Sequence, residues 1–301
     1  MNTAEANALL PDAPVKSIPN PKGLVYLLIA PPKFGKTTWM ADIPNALLLA
    51  FERGHAFHSI CKIAIDKWDD RKFEMYDDDE GCRHMTMKQA SEILEASDKF
   101  DFVIFDTADM AVKKCTDYWL AKLGHAHLQD AGDFGKGYDL CQNTPFRQLI
   151  GAILSTGRGI GLITHSNITT TNFAKGAKSK RETTLPGGIH KFLHTQADII
   201  LHGSFGARRA NSKHRERILQ TEGDEETLAG NRTKGINLPP KFIVDYDSPW
   251  TQWCEFFKDP KAAERATAQL NKSKGDEGEE EVATLQVEEE EEIKPVKKGK
   301  K

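Results

Sequence analysis

Disulfide pairing is the first thing the chain lacks a pattern for. Its five cysteines (Cys61, Cys82, Cys115, Cys141, Cys254) are scattered through 301 residues with no C-x-x-C pair, a usage that suits reduced thiols rather than a disulfide framework. Also missing is any apolar run near the ~20 residues of a membrane span, and the opening residues lack the basic-then-apolar form of a signal peptide. A cytoplasmic protein without a membrane partner is the expectation. Nor does one charge dominate: 41 basic residues stand against 44 acidic, net −3. Nothing global points to nucleic acid, so such a partner must be met by a local patch. The length has room for one large α/β domain with tails, or for two small domains.

What is present is concentrated in one stretch. Leu24-Val25-Tyr26-Leu27-Leu28-Ile29 reads as a buried strand, Ala30-Pro31-Pro32-Lys33-Phe34-Gly35 as a turn, and Lys36-Thr37-Thr38 as the opening of a helix. Strand, loop and helix in that order are the context of a phosphate-binding P-loop. Successive loop amides and the helix start would face the β- and γ-phosphates of a nucleoside triphosphate. Lys36 supplies a point charge there, and the Thr37 hydroxyl completes the coordination of Mg²⁺. The expected nucleotide-binding residues are therefore Ala30, Pro31, Pro32, Lys33, Phe34, Gly35, Lys36, Thr37 and Thr38. One departs from G-x-x-x-x-G-K-[ST]: Ala30 stands where the first glycine is usual, so either the loop starts in an ordinary conformation or the turn is remodelled.

Two strand ends supply carboxylates. Ala46-Leu47-Leu48-Leu49-Ala50-Phe51 runs into Glu52, placed at the carboxyl end of a core strand and expected beside the P-loop strand. Glu52 is the candidate for orienting and deprotonating an attacking water, against the plainer reading of a solvated loop acid. Phe102-Val103-Ile104-Phe105 ends in Asp106, about 70 residues after the P-loop, and its carboxylate is expected to meet the water shell of Mg²⁺. A helix over about 87–97 leads into that strand. Another strand, Ile160 to Thr164, ends at His165, which would sense the γ-phosphate if the strand lies between those of the P-loop and Asp106. Otherwise it is an ordinary hydrogen-bonding histidine.

Two attractive patterns are set aside. Asp133-Phe134-Gly135 spells a kinase tripeptide, but no kinase glycine loop precedes it. Cys115, His125, His127 and Cys141 match no familiar zinc spacing. Residues 167–189 read as a long polar loop carrying Lys175, Lys178, Lys180 and Arg181, either a contact for nucleic-acid phosphates or a solvated insertion. A core strand is expected at 197–203, a second basic cluster (Arg208, Arg209, Lys213, Arg215, Arg217) follows it, and 238–244 closes the domain, with Trp250, Trp253, Phe256 and Phe257 packing a last helix. Residues 1–22, rich in proline, read as a flexible lead-in, 23–258 as the domain, and 259–301, with its glutamate runs and terminal lysines, as a disordered tail.

Together these residues resemble the RecA-like ATPases of the P-loop class, and most closely the phage-encoded ATP-binding proteins related to Sak-type single-strand annealing recombinases. The carrying stretches are 30–38, 48–54, 102–107, 162–166, and 230–234 before Leu238-Pro239-Pro240. The resemblance implies an α/β fold with a mostly parallel central sheet flanked by helices, the His165 strand between the other two, and Glu52 as catalytic carboxylate. It also implies a homo-oligomer with ATP at subunit interfaces, where Arg232, with Lys234 nearby, would act as a finger in the neighbouring site. Single-stranded DNA is the implied substrate; the charged tail reads as a solubility element, as a competitor of nucleic acid for the basic loops, or as a recruiter of a single-strand-binding protein or another replication or recombination partner. A nucleotide-dependent switch or scaffold with negligible hydrolysis is the second function class, and a metabolite kinase the third.

Overall fold

The computed structural model describes residues 20–53, 58–173, 176–208, 215–233 and 235–275, with backbone alone for 168–173, 176–180, 207 and 274–275. The proposed flexible segment 1–19, Lys175, Lys234 and the tail from 276 onward lie outside them. In chain order the strands are β1 (Val25–Ala30), β2 (Ala46–Ala50), β3 (Cys61–Lys67), β4 (Tyr76–Asp77), β5 (Arg83–Thr86), β6 (Phe102–Asp106), β7 (Gly159–Phe173), β8 (Gly176–Thr183), β9 (Ile199–Arg208), β10 (Arg215–Gln220), β11 (Gly230–Asn231) and β12 (Lys241–Ile243). The main helices are α1 (Lys36–Ala41), α2 (Met87–Ala96), α3 (Ala108–Leu123), α4 (Thr144–Ser155), α5 (Gly187–Gln196), α6 (Pro249–Lys258) and α7 (Ala262–Gly275).

One sheet joins them in the order β12-β10-β9-β1-β7-β6-β2-β3-β5-β4, with β11 added on β9 and β8 on β7. Along the path from β9 to β5 neighbouring strands are parallel, whereas β10 with β9 and β12, β4 with β5, β11 with β9 and the far part of β7 with β8 pair antiparallel. Parallel strands must be covered on both faces, which is why β1, β2 and β6 are buried at every residue and read as unbroken apolar runs. Their alternation divides the core in two. Val25, Leu27 and Ile29 face a cluster shared with α2, α3, α4 and α5, whereas Tyr26, Leu28 and Ala30 face one shared with α1, α6 and α7. In the second cluster the Trp253 indole N–H donates to Tyr26 Oη at 3.1 Å, and that hydroxyl donates to the Pro21 carbonyl at 2.7 Å. Tyr26, Trp39, Trp250 and Trp253 meet edge to face; each such pair adds roughly 0.5–1.5 kcal/mol beyond its area.

Four expectations need correction. β2 is not beside β1, because β7 and β6 lie between them. The polar stretch 167–189 is not a loop over its described residues: β7 continues past the sheet to Phe173 and pairs with β8 from Ser166↔Thr183 to Phe173↔Gly176, so ladder hydrogen bonds satisfy the backbone there. The described domain does not stop at 258. α7 packs Ala262, Ala266 and Leu270, one helical turn apart, against the core. Nor is 20–22 a flexible lead-in, for Asn20 caps a single 3-10 turn, Pro21–Gly23, through Lys22 N–H at 3.1 Å.

Candidate active site

Strand register brings the expected residues to one edge. β7 lies between β1 and β6, with Ala30 opposite His165 and Asp106 opposite both Ile163 and Ala50. The ends of β1, β7, β6 and β2 therefore share one margin, where Phe51 N–H donates to the Asp106 carbonyl at 2.8 Å and Glu52 follows. The turn after β1 is made by Lys33 at φ 63° and Gly35 at φ 91°. Ala30 has no positive φ and completes the strand. Its methyl group fits because the neighbouring strand offers Gly203, where a Cβ would stand 2.6 Å from Ala30 Cβ and 2.8 Å from the Phe34 ring.

Lys36 is buried and donates to the Ala30 and Pro31 carbonyls at 3.0 and 3.1 Å. Burial holds its ammonium below the usual lysine value, against the opposing pull of Asp106, Asp109 and Glu52. Thr37 Oγ1 donates to Asp106 Oδ2 at 3.0 Å. Burial pushes the Asp106 carboxyl up and nearby Glu52 pushes it further, while the Thr37 hydrogen bond and Lys36 pull it down. Glu52 accepts from Thr107 Oγ1 at 2.7 Å, so the two strand-end acids are joined through adjacent residues. A buried lysine, a hydroxyl and two acids leave the edge short of positive charge. That donor set fits a polyphosphate carrying a hard divalent ion, which Thr37 and Asp106 would ligate.

Of three further neighbours, Asp109 and Tyr246 had no signal in the sequence, and Arg217 stood out only as a member of a basic cluster. Asp109, in the first turn of α3, accepts from His165 N–H at 3.1 Å, from Thr164 Oγ1 at 3.0 Å and from Thr184 Oγ1, and faces His165 Nδ1 at 3.5 Å. Burial alone would raise its carboxyl, but these hydrogen bonds together hold it below the usual range. Tyr246 donates to the Phe34 carbonyl at 2.5 Å and carries the Arg217 guanidinium 4.0 Å above its ring. Both crowd Gly35, where a Cβ would meet Tyr246 at 2.7 Å and Arg217 at 3.0 Å. Arg217 and Tyr246 are far from the P-loop in sequence, and only the pairing of β10 with β9 and β12 brings them to it.

Other expected residues are elsewhere. Arg232 is exposed and its N–H bonds the Asp198 carbonyl at 2.8 Å, where Asp198 also accepts from the first amide of β1. It therefore stands at the opposite end of β1 from the P-loop, about 17 Å away at 3.3 Å per residue. Arg181 bonds Glu226 through its backbone at 2.8 Å. Lys178 and Lys180 lie on the backbone of β8, and their side chains are outside the described set.

A parallel sheet with a P-loop after β1, an aspartate closing β6 and a polar strand end between them defines a RecA-like P-loop ATPase. The chain belongs to the AAA domain family (AAA_24), whose model matches residues 22–233. No curated protein matches it. Among solved structures it is similar to the flagellar accessory protein FlaH from Methanocaldococcus jannaschii, at 9% identity over 74% of this chain and 85% of that one, TM-score 0.40. It is also similar to the KaiC-like protein PH0186 from Pyrococcus horikoshii OT3, at 11% identity over 75% and 86%, TM-score 0.35. No helix among the described residues is long and apolar enough to cross a membrane.

Proposed function

We propose that this ATPase couples hydrolysis to single-stranded DNA, as the resemblance to the Sak-related phage proteins suggests. One observation carries the reading. β7, which brings His165 to the P-loop edge, continues without a break into the hairpin whose second strand holds the Lys178 to Arg181 segment. A ligand on that hairpin would pull on the strand that meets the nucleotide.

In this reading Lys36 would exchange the loop carbonyls for the β- and γ-phosphates, and Thr37 and Asp106 would hold Mg²⁺. The ion, when bound, supplies charge neutralisation of the phosphates. Glu52 orients the attacking water and accepts its proton, with Thr107 fixing the carboxylate. His165, steadied by Asp109, reports the γ-phosphate to β7. Arg232 is too far to serve its own site and would reach that of a second copy in a homo-oligomer, where a finger of this kind raises turnover by roughly 10³–10⁵. The acidic tail would recruit a protein partner in the same cytoplasmic pathway.

The test is ATP hydrolysis at moderate salt, with and without single-stranded DNA, for the wild type and for a variant with Lys175, Lys178, Lys180 and Arg181 changed to Ala. Stimulation by DNA that the variant loses is expected. Unstimulated turnover with no salt-sensitive DNA binding would replace this reading with an ATP-dependent switch or scaffold.

A further inference from the structure

At the far margin of the sheet, β3, β4 and β5 bring another set of chemistry-bearing side chains together. The period of two does this. Ile63, Ile65 and Met85 face the core cluster under α2, so Asp66 on β3 and His84 on β5, which pairs with Ala64, face the other way. Cys82 is two residues before His84, and Tyr76 is directly opposite it on β4. Asp78 is two residues beyond Tyr76, across the turn from Cys82.

Asp78, Cys82 and His84 each present a ligand atom within 4.8 Å of the others. His84 Nε2 is 3.2 Å from Asp78 Oδ2. In a tetrahedral zinc site, nitrogen and oxygen ligands each 2.0–2.1 Å from the ion stand about 3.3 Å apart. The other oxygen of Asp78 accepts the backbone N–H groups of Glu80 at 3.0 Å and Cys82 at 2.7 Å, which aims Oδ2 at the histidine. Behind the ring, His84 Nδ1 is 2.9 Å from Asp66 Oδ2 and 3.1 Å from Tyr76 Oη, and the Tyr76 ring stacks on it at 4.5 Å. A carboxylate on the second nitrogen is how metal-binding histidines are oriented and made more basic.

We propose that Asp78, Cys82 and His84 form a divalent-metal site of zinc type, with Asp66 positioning the His84 ring. The thiolate, imidazole and carboxylate set selects zinc over magnesium or calcium, which prefer oxygen ligands alone. As the ion enters, the thiol and the imidazole Nε2 release their protons to solvent, and the fourth position is left to water. The metal fastens the β4–β5 turn to its own strand and stands apart from the nucleotide edge at Asp106, from which β2 and β3 separate it. The same groups have one competitor in this arrangement, a proton on the imidazole shared between the two aspartates.

Cobalt(II) decides between them. The full chain is stripped with a strong chelator, titrated with Co²⁺, and read by absorbance. One equivalent should bind with a near-ultraviolet sulfur-to-cobalt band that Zn²⁺ abolishes. Cys82→Ser should remove the band, Asp66→Asn should weaken binding by roughly 10–100-fold, and Cys61→Ser, an exposed cysteine on β3, should change neither. A folded wild-type chain without the band at stoichiometric Co²⁺, or a band that survives Cys82→Ser, overturns the site.

Discussion

Two groups of carboxylates stand at different places on one sheet. At its centre Asp106 closes and Glu52 follows a strand buried throughout, while at its margin Asp66 belongs to β3, which is buried only in its middle, and Asp78 to the turn after β4, which is exposed. The physics differs accordingly. Burial dominates the centre, raising Asp106 and lowering Lys36. Hydrogen bonds dominate the margin: the Cys82 amide leads in holding Asp78 below its usual range. For His84 desolvation would lower the imidazole, but Asp66 and Asp78 together raise it. Charge at the centre therefore waits for a counter-ion, whereas charge at the margin is already compensated. Substitutions at the centre should change chemistry or packing strongly, and those at the margin should act weakly unless a metal is bound.

Glu52→Gln sharpens this contrast most. The amide keeps the shape and one partner for Thr107 but cannot take a proton, so turnover should fall roughly 10²–10⁴-fold while nucleotide binding and the thermal midpoint stay near wild type. A loss confined to KM, measured by steady-state kinetics, would remove Glu52 from the chemistry.

The centre was also the part most legible in the sequence. β1, β2 and β6 are apolar because both faces are covered, and the P-loop, Glu52 and Asp106 sit where those runs break. α2 was legible too, through the helical spacing of Ala90, Ile93, Leu94 and Ala96, whereas its start is fixed by a capping box that the reading did not use, in which Thr86 and Gln89 exchange hydrogen bonds at 3.2 and 2.9 Å. The margins were not. β3 reads Cys-Lys-Ile-Ala-Ile-Asp-Lys, mixing charge with apolar residues because only its middle is buried, and β8 reads Gly-Ala-Lys-Ser-Lys-Arg-Glu-Thr, with no apolar alternation. α7 did carry a signal in Ala262, Ala266 and Leu270, but the charge around it hid the stripe. Asp109 and Tyr246 had none and Arg217 was legible only as part of a basic cluster, since a helix turn and the order of distant strands, not spacing, bring them to the P-loop.

Gly203→Ala tests the packing that lets Ala30 stand in for glycine. The new methyl group meets Ala30 Cβ at 2.6 Å and the Phe34 ring, so about 1–3 kcal/mol of stability should be lost in denaturant unfolding. Adding Ala30→Gly should recover part of it. Full additivity of the two changes would show that the contact is not what matters.

Asp109→Asn follows, with an effect of roughly 1 kcal/mol near neutrality. Its carboxyl is held below the unfolded value, so the stability it contributes is present above the ordinary carboxylate range and is lost as pH falls through the lowered folded value. The variant and the wild type should thus converge in acid and separate as pH rises. A gap that stays constant with pH would mean that shape, not charge, fixes the His165 end of β7.

The smallest effect belongs to the margin. Arg83 pairs with Asp77 across the β4–β5 hairpin, and both side chains are about half exposed. Solvent and salt screen such a pair, and ordering two mobile side chains offsets most of its attraction. Asp77→Ala should therefore shift the thermal midpoint barely measurably, and the shift should vanish at about 1 M salt, roughly a 3 Å Debye length. The result also bears on the metal. If Asp77→Ala destabilises the stripped chain as strongly as the central packing change does, the hairpin is held by its own ion pair, and the margin owes its order to surface charge rather than to the Asp78, Cys82 and His84 cluster beside it.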